Sequence, residues 1–266
     1  YEISCSLVGS EMCIRDRAYI ENYQENDTQY ESTLNYSNIF GKHSIQALLG
    51  YTYQYTYSTS ASMTNSGFDF DDNQTHNIGT GTNLTEGKAS MSSNKEDNTY
   101  IGFFGRFMYN YDDKYLLSAS LRRDGSSRFG DNNKWGWFPS VSAGWRISEE
   151  SFIKERAKWL NQLKLRLSYG VTGTDAIESY ANTDLLDSAG YILGEGNGSV
   201  VSGLANNSAS LGNRALQWEQ TNQANFGLDI SLLNNRIGLT FDYYYSITKS
   251  LLYQKTVNSI AGYTQA

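Results

Sequence analysis

The chain has 266 residues, 39% of them hydrophobic and 14% aromatic, enough to bury the core of one large β domain. A formal net charge of −7 argues against a nucleic-acid backbone as partner, because phosphate binding needs a basic surface. No apolar run approaches the ~18 residues of a membrane helix, but barrel strands stay open, since their hydropathy signal is far weaker.

The 21 Tyr and 24 Gly beside a single Pro suit an aromatic girdle at a membrane interface and a soluble carbohydrate-binding β protein alike. In chain order, residues 1–17 (YEISCSLVGSEMCIRDR) show neither sustained alternation nor turn chemistry. They resemble a translated sequencing adapter and are set aside as non-native, a truncated strand or loop being the alternative. They lack the basic start and apolar run of a signal peptide. Both cysteines, Cys5 and Cys13, lie here, so the remaining chain, 18–266, offers no thiol catalysis, cysteine-ligated zinc or disulfide.

The first strand is expected over about Thr28 to Phe40, with Tyr30, Leu34 and Tyr36 on one face, and Gly41-Lys42 as a tight turn. In the second, Ile45, Ala47, Leu49, Tyr51, Tyr53, Tyr55 and Tyr57 alternate with Ser44, Gln46, Thr52, Gln54 and Thr56. A period of two means an extended strand with two unlike faces. At about 3.4 Å per residue it exceeds a bilayer core even when tilted. Residues 58–97 are rich in Ser, Thr, Asn, Gly and Asp and read as a long polar loop.

Three alternating segments follow. The first carries Ile101, Phe103, Phe107, Tyr109 and Tyr111; the second Tyr115, Leu117, Ala119 and Leu121; the third Trp137, Val141, Ala143, Trp145 and Ile147. Asp112 to Lys114 is a short turn between the first two, and Asp124 to Lys134 a longer loop before the third. Residues 149–162 space Phe152, Arg156 and Trp159 at near-helical intervals and predict a short helix or turn. Leu163 to Val171 alternates again. Residues 173–217 read as a second long loop with a local strand near Tyr191 to Leu193. Trp218 to Leu232 and Ile237 to Ile247 close the series as a hairpin about Asn234-Asn235, because Asn tolerates the left-handed backbone such a turn needs.

Eight strands result, with connections that alternate between brief and elaborate. That asymmetry predicts an all-β, antiparallel up-and-down transmembrane barrel segment, with short turns at one end and long loops at the other. Arg106, Arg122, Arg146, Lys164, Arg166, Asp229, Arg236 and Asp242 sit on the polar faces. Packing them in a small closed core would cost several kcal/mol per unpaired ion, whereas a wide aqueous or plugged lumen accepts them.

The runs Tyr109–Gly130 (YNYDDKYLLSASLRRDGSSRFG), Trp137–Phe152 (WFPSVSAGWRISEESF), Leu163–Thr174 (LKLRLSYGVTGT) and Leu216–Leu252 resemble the barrel of SusC/RagA-type TonB-dependent transporters of Bacteroidetes. The resemblance covers most of Tyr100 to Leu252. It implies a large outer-membrane barrel around a plug, energy delivered through the TonB complex, a SusD-like lipoprotein lid, and oligosaccharide or peptide cargo. Eight strands are about a third of the roughly 22 of plugged transporters, so the chain is expected to be an internal piece of the barrel with open edges and no plug. A passive porin or adhesin barrel, and a soluble β-rich carbohydrate-binding protein or enzyme, are the alternatives.

Candidate chemistry is thin, and no cofactor is expected. Asp69, Asp71 and Asp72 offer hard oxygen ligands of the kind Ca²⁺ takes, but the full EF-hand spacing and its terminal Glu are absent, and a solvated acidic loop is the favoured reading. His43 and His76 read as turn or loop residues. Asp175 with Glu178, or Glu149 with Glu150, are nominal acid/base pairs without a cleft to place them. Arg123, Arg128 and Trp135, about the DGSSRFG loop, are candidates for lining a cargo vestibule by hydrogen bonding and stacking. The competing reading is a fixed loop held by an ion pair to Asp124.

Overall fold

The computed structural model describes residues 17–69, 76–157, 159–193, 199–206 and 212–255. Ten strands form: β1 (Arg17–Phe40), β2 (His43–Ser66), β3 (Ser90–Tyr111), β4 (Tyr115–Ser126), β5 (Trp135–Arg146), β6 (Leu160–Thr174), β7 (Leu186–Leu193), β8 (Ser199–Asn206), β9 (Glu219–Leu232) and β10 (Ile237–Lys249). Eight of them make one open antiparallel sheet in the order β1-β2-β3-β4-β5-β6-β9-β10, and β7 pairs with β8 in a separate hairpin. The up-and-down barrel segment expected from the alternation is thus present, with the expected strands in the expected order.

Several boundaries move. β1 begins at Arg17, one residue inside the segment set aside as foreign, whose other sixteen residues lie outside those described. β2 runs on to Ser66 and β3 begins at Ser90, so much of the polar stretch assigned to a loop is strand. Ser, Thr and Asn on both faces leave no period to read. Of residues 149–162 only α1 (Ser151–Lys154) is helical, flanked by a 3-10 turn at Ile147–Glu149 and by the start of β6. The second long loop contains the β7–β8 hairpin rather than a single short strand.

The chain forms two compact units. In the smaller, Tyr1–Asp27 with Thr56–Asp97, strand pairing is supplemented by polar side chains: Thr56 donates to Asp27 at 3.0 Å and the Ser62 and Ser92 hydroxyls meet at 2.7 Å. The connection after β2 is tied by buried Asn65, whose amide donates to the carbonyls of Ile78 (2.7 Å) and Gly81 (3.1 Å). Gly67 adopts φ +83°, and a Cβ there would meet the Thr82 hydroxyl at 2.0 Å, so both conformation and space call for glycine.

The larger unit, Thr28–Tyr55 with Asn98–Ala266, carries the two-faced wall. From β3 through β6 to β9 and β10 the strands pair residue by residue, and directly paired residues share a face. Phe107, Ala119, Val141, Tyr169, Ala224 and Tyr245 form one such row; Arg106, Ser120, Ser140, Gly170, Gln223 and Ser246 form the row on the opposite face. The apolar side chains are exposed, Phe107, Val141, Tyr169 and Tyr245 among them. A water-soluble sandwich would have covered them.

Two aromatic belts cross the apolar face. At the short-turn end His43 lies 4.8 Å from Tyr111, Tyr111 6.2 Å from Tyr115, and Tyr115 6.4 Å from Trp145. At the loop end Tyr30 lies 6.2 Å from Tyr51, Tyr51 5.1 Å from Phe103, and Phe103 6.2 Å from Trp135.

The short turns use left-handed backbone at Gly41, Asp112, Asp113, Leu233, Asn234 and Asn235. Neighbouring turns bond to one another: Asp112 N–H donates to Lys42 O at 2.8 Å, Arg146 N–H to Lys114 O at 2.8 Å, and Leu233 N–H to Trp159 O at 2.9 Å. A chain of charges overlies them, exposed at Lys42 and half-buried beyond it, with Asp112 2.9 Å from Lys42 and 3.6 Å from Lys114, which is 3.7 Å from Glu150. Lys42 holds the Asp112 carboxyl below its ordinary value, and Asp112 in turn raises Lys42. Hydrogen bonds from the Tyr115 hydroxyl (2.6 Å) and the Trp145 indole (3.2 Å) lower Glu150.

Candidate functional site

The polar face of the larger unit presents two charged stations. Arg166 on β6 is paired with Gly227 on β9, whose missing Cβ leaves room for the guanidinium. That room matters, because a Cβ at Gly227 would lie 2.7 Å from the Arg166 Cζ. Arg166 Nε donates to Asp229 at 2.9 Å, and its Nη2 bridges Asp229 (3.0 Å) and Asp242 on β10 (2.9 Å). One fork thus joins three strands. Beside it lies a hollow of about 490 Å³ lined by Ser44, Gln46, Asn110, Ser118, Lys164 and Arg166 among others. The lining is mixed, with Met108, Leu116, Leu117 and Leu167 beside these hydroxyls, amides and cations.

Nearer the loop end, Arg122 donates through Nε to both Asp124 oxygens (2.8 and 2.6 Å) and through Nη2 to the Tyr100 hydroxyl (2.6 Å). Its Cζ lies 5.7 Å from the centre of the Phe104 ring. Asp124 is 5% exposed, so the ion pair compensates a desolvated carboxylate. The pair lies within β4, and the bond to Tyr100 ties it to β3, just ahead of the rest of the DGSSRFG loop.

That loop is anchored by the best-buried group in the described protein. Phe129, Phe138 and Trp218 are 0%, 6% and 5% exposed and pack with Tyr100, Val171, Ile177, Leu216 and Leu252. The pairing of β5 with β6 ends at Ser140 and Gly170, next to Pro139, which has no N–H to offer a ladder. Past that point the Phe138 ring lies where Gly136 and Gly173 lack a Cβ, at 2.4 and 2.1 Å from the positions it would take. Trp218 Nε1 donates to Lys134 O at 3.0 Å, Asn133 donates to Ala215 O at 3.3 Å, and Arg128 Nη1 donates to Asp175 O at 3.2 Å. Three connections are therefore knitted into one platform.

The residues singled out from the sequence do not gather. Arg123 and Trp135 come together, but on the apolar face, with Arg123 Cζ 4.7 Å from the Trp135 ring centre and 5.0 Å from that of Trp137. Arg128 donates through Nη1 to the Asp175 carbonyl, and its Nε is buried with no hydrogen-bond partner among the described residues. Asp69 is exposed, while Asp71 and Asp72 lie outside the described residues; among those described, no group of three potential metal ligands forms. His43 meets the Tyr109 hydroxyl at 2.7 Å within the turn-end belt, and His76 is exposed in a turn. Glu149 pairs with Lys154 at 3.0 Å, and Glu150 accepts from the Tyr115 hydroxyl of the belt. Asp175 and Glu178 border the platform without facing each other through any hydrogen bond. Sequence reasoning named Arg166, Asp229 and Asp242 as polar-face charges without joining them, although their register positions bring them together; it missed the Phe129–Phe138–Trp218 cluster.

A family model for TonB dependent receptor-like β-barrels matches residues 12–266. A TonB-dependent receptor of Formosa agariphila is 35% identical over 239 residues, which are 90% of this chain and 22% of that protein. The TonB-dependent receptor SusC of Bacteroides thetaiotaomicron is 39% identical over 159 residues, 58% of this chain and 15% of SusC. The RagAB peptide transporter structure superposes with a TM-score of 0.79 at 29% identity, over 93% of this chain and 26% of that one. The chain thus spans less than a quarter of the length of the curated relatives it matches.

Proposed function

The chain belongs to the TonB-dependent receptor-like β-barrel family and is an outer-membrane protein of the SusC/RagA kind, and from that premise we propose that residues 18–266 supply part of the barrel wall and external loops of a TonB-driven importer. The cargo is an oligosaccharide or a peptide, and a SusD-like lipoprotein closes the loop end. The observation that carries this reading is the spacing of the two aromatic belts on the exposed apolar face. From Trp135 to Trp145 β5 advances about 34 Å, which at a tilt near 40° is about 26 Å of membrane thickness, close to the roughly 25 Å apolar band of outer-membrane barrels. The charged face, with Arg166, Asp229 and Asp242, then turns to a watery lumen. The long-loop end, with its Phe129–Phe138–Trp218 platform, points outward from the cell.

The platform gives external loops a fixed base, which suits recognition at the mouth better than free diffusion through a pore. Relatives by sequence and by structure are named as receptors and transporters, which supports a transport reading. The test is uptake of labelled oligosaccharides and peptides by cells that carry the complete barrel, with and without TonB. Uptake lost without TonB, together with co-purification of a SusD-like lipoprotein, is the expected result. Uptake that persists without TonB would mean a passive porin.

A further inference from the structure

On the apolar face of β3 from Thr99 onward, and of β4, β5 and β6, register places one charged side chain, Arg123. A lone charge on a greasy wall is costly unless it has a use or a route to water. Arg123 is paired across the strands with Phe103 on β3 and Trp137 on β5, in the loop-end belt. Trp135 completes the surround: Gly125 has no side chain, and the indole lies 3.0 Å from where its Cβ would be. Any larger residue at 125 would push Trp135 off the guanidinium. The two indoles, 42% and 53% exposed, hold the cation between them and leave its edge open.

The adjacent acid is not available to neutralise it. Asp124 points to the other face and is committed to Arg122, and Arg123 makes no ion pair among the described residues. A planar fork of N–H groups, immobilised by stacking and lacking a protein anion, matches a phosphate oxygen pair. Its depth, at the belt, is where lipid headgroups lie.

We infer that Arg123, Trp135 and Trp137 form a binding site for the phosphate of a lipid headgroup in the external leaflet, on the outside of the wall. This rests on the proposed membrane orientation. Arg123 therefore serves the surrounding lipid rather than the cargo path, and Trp135 positions it.

The test uses the complete barrel carrying this chain, in nanodiscs of the phosphate-free lipid digalactosyldiacylglycerol with increasing phosphatidylglycerol, with retained lipid counted by native mass spectrometry. The wild type is expected to retain phosphatidylglycerol preferentially, and Arg123→Gln to weaken that preference about tenfold, the scale of a charge-assisted hydrogen bond. Arg123→Lys, which keeps the charge should Arg123→Gln fail to insert, is expected to fall several-fold, because an ammonium lacks the fork. Heat-modifiable migration on gels reports barrel formation separately, so loss of the lipid site is distinguishable from loss of the barrel. Equal preference in wild type and Arg123→Lys, equal retention of both lipids by the wild type, or displacement of the lipid by millimolar inorganic phosphate would each overturn the inference; the first two mean that Arg123 only reaches for the interface.

Discussion

The two ends of the larger unit are held by different physics. At the loop end Phe129, Phe138 and Trp218 are buried, and Tyr100, Val171, Ile177, Leu216 and Leu252, from two further strands and three connecting segments, pack partly buried against them. At the turn end no large side chain is buried among the described residues; backbone bonds between neighbouring turns and a largely half-buried chain of charges from Lys42 to Glu150 do the holding. The difference teaches that brief connections need only backbone geometry, whereas long ones must bring their own core to be fixed in place. Loss of one buried ring should therefore cost far more than loss of one exposed charge.

The sharpest way to break that contrast is Trp218→Ala, which empties the cluster and leaves Lys134 O with only its backbone bond from Ser126 N–H. It should cost about 3–5 kcal/mol in urea unfolding of the complete barrel from lipid, and loosen the loops to protease while strands β3 to β6 persist. A loss under about 1 kcal/mol would mean that the platform is decorative. Gly173→Val comes next: it puts carbon where the Phe138 ring lies and should cost about 1–3 kcal/mol by overpacking. Pairing it with Phe138→Leu, which frees that space, should recover part of the loss, and no recovery would separate the two residues.

Smaller again is Asp242→Asn. Arg166 keeps Asp229, and the exposed half of the fork is worth below about 1 kcal/mol, screened further by salt. A deficit that survives 1 M salt would contradict the assignment of that station to a watery lumen.

The smallest effect is set by pH at the turn end. The folded pKa values of Asp112 and Glu150 lie below their unfolded ones, so their contribution is present above the usual carboxylate range, near pH 4, and fades as pH falls through the folded values. Lys42 is raised, so its share is complete below its ordinary value and fades only as pH climbs through the higher folded one. Melting should be flat from about pH 5 to 9, with a shallow acid decline that Glu150→Gln reduces. A decline that the variant leaves unchanged would shift the acid response to other carboxylates.

How much of this could be read beforehand depends on whether a strand has unlike faces. Tyr115, Leu117, Ala119 and Leu121 against Ser118, Ser120 and Arg122 leave no doubt about β4, and the hairpin of β9 and β10 is as plain about its Asn-Asn turn. Residues 58–66 and 90–97 hid because both their faces are polar, so extended backbone leaves no trace in the pattern. The cluster hid for another reason. Phe129, Phe138 and Trp218 come from a loop, a strand interior and a strand entrance, and only the folded connections make them neighbours. Arg123 was noticed as a charge near Trp135, but its face follows from counting along β4 from Tyr115, which sends it to the side opposite Arg122.

One small irregularity has a wider bearing. Between β6 and β9 the pairing steps from Leu160 opposite Leu232 to Gln162 opposite Ser231, leaving Asn161 as an extra residue, whose side-chain oxygen accepts the Asn235 N–H at 3.3 Å. Elsewhere from β3 to β10 the recorded pairings of the large sheet proceed without a slip, so adding or deleting a single residue in mid-strand would exchange greasy and wet sides for all that follows. Odd-numbered length changes are thus confined to the rims, and a spare position such as Asn161 is where the wall can absorb one without being turned inside out.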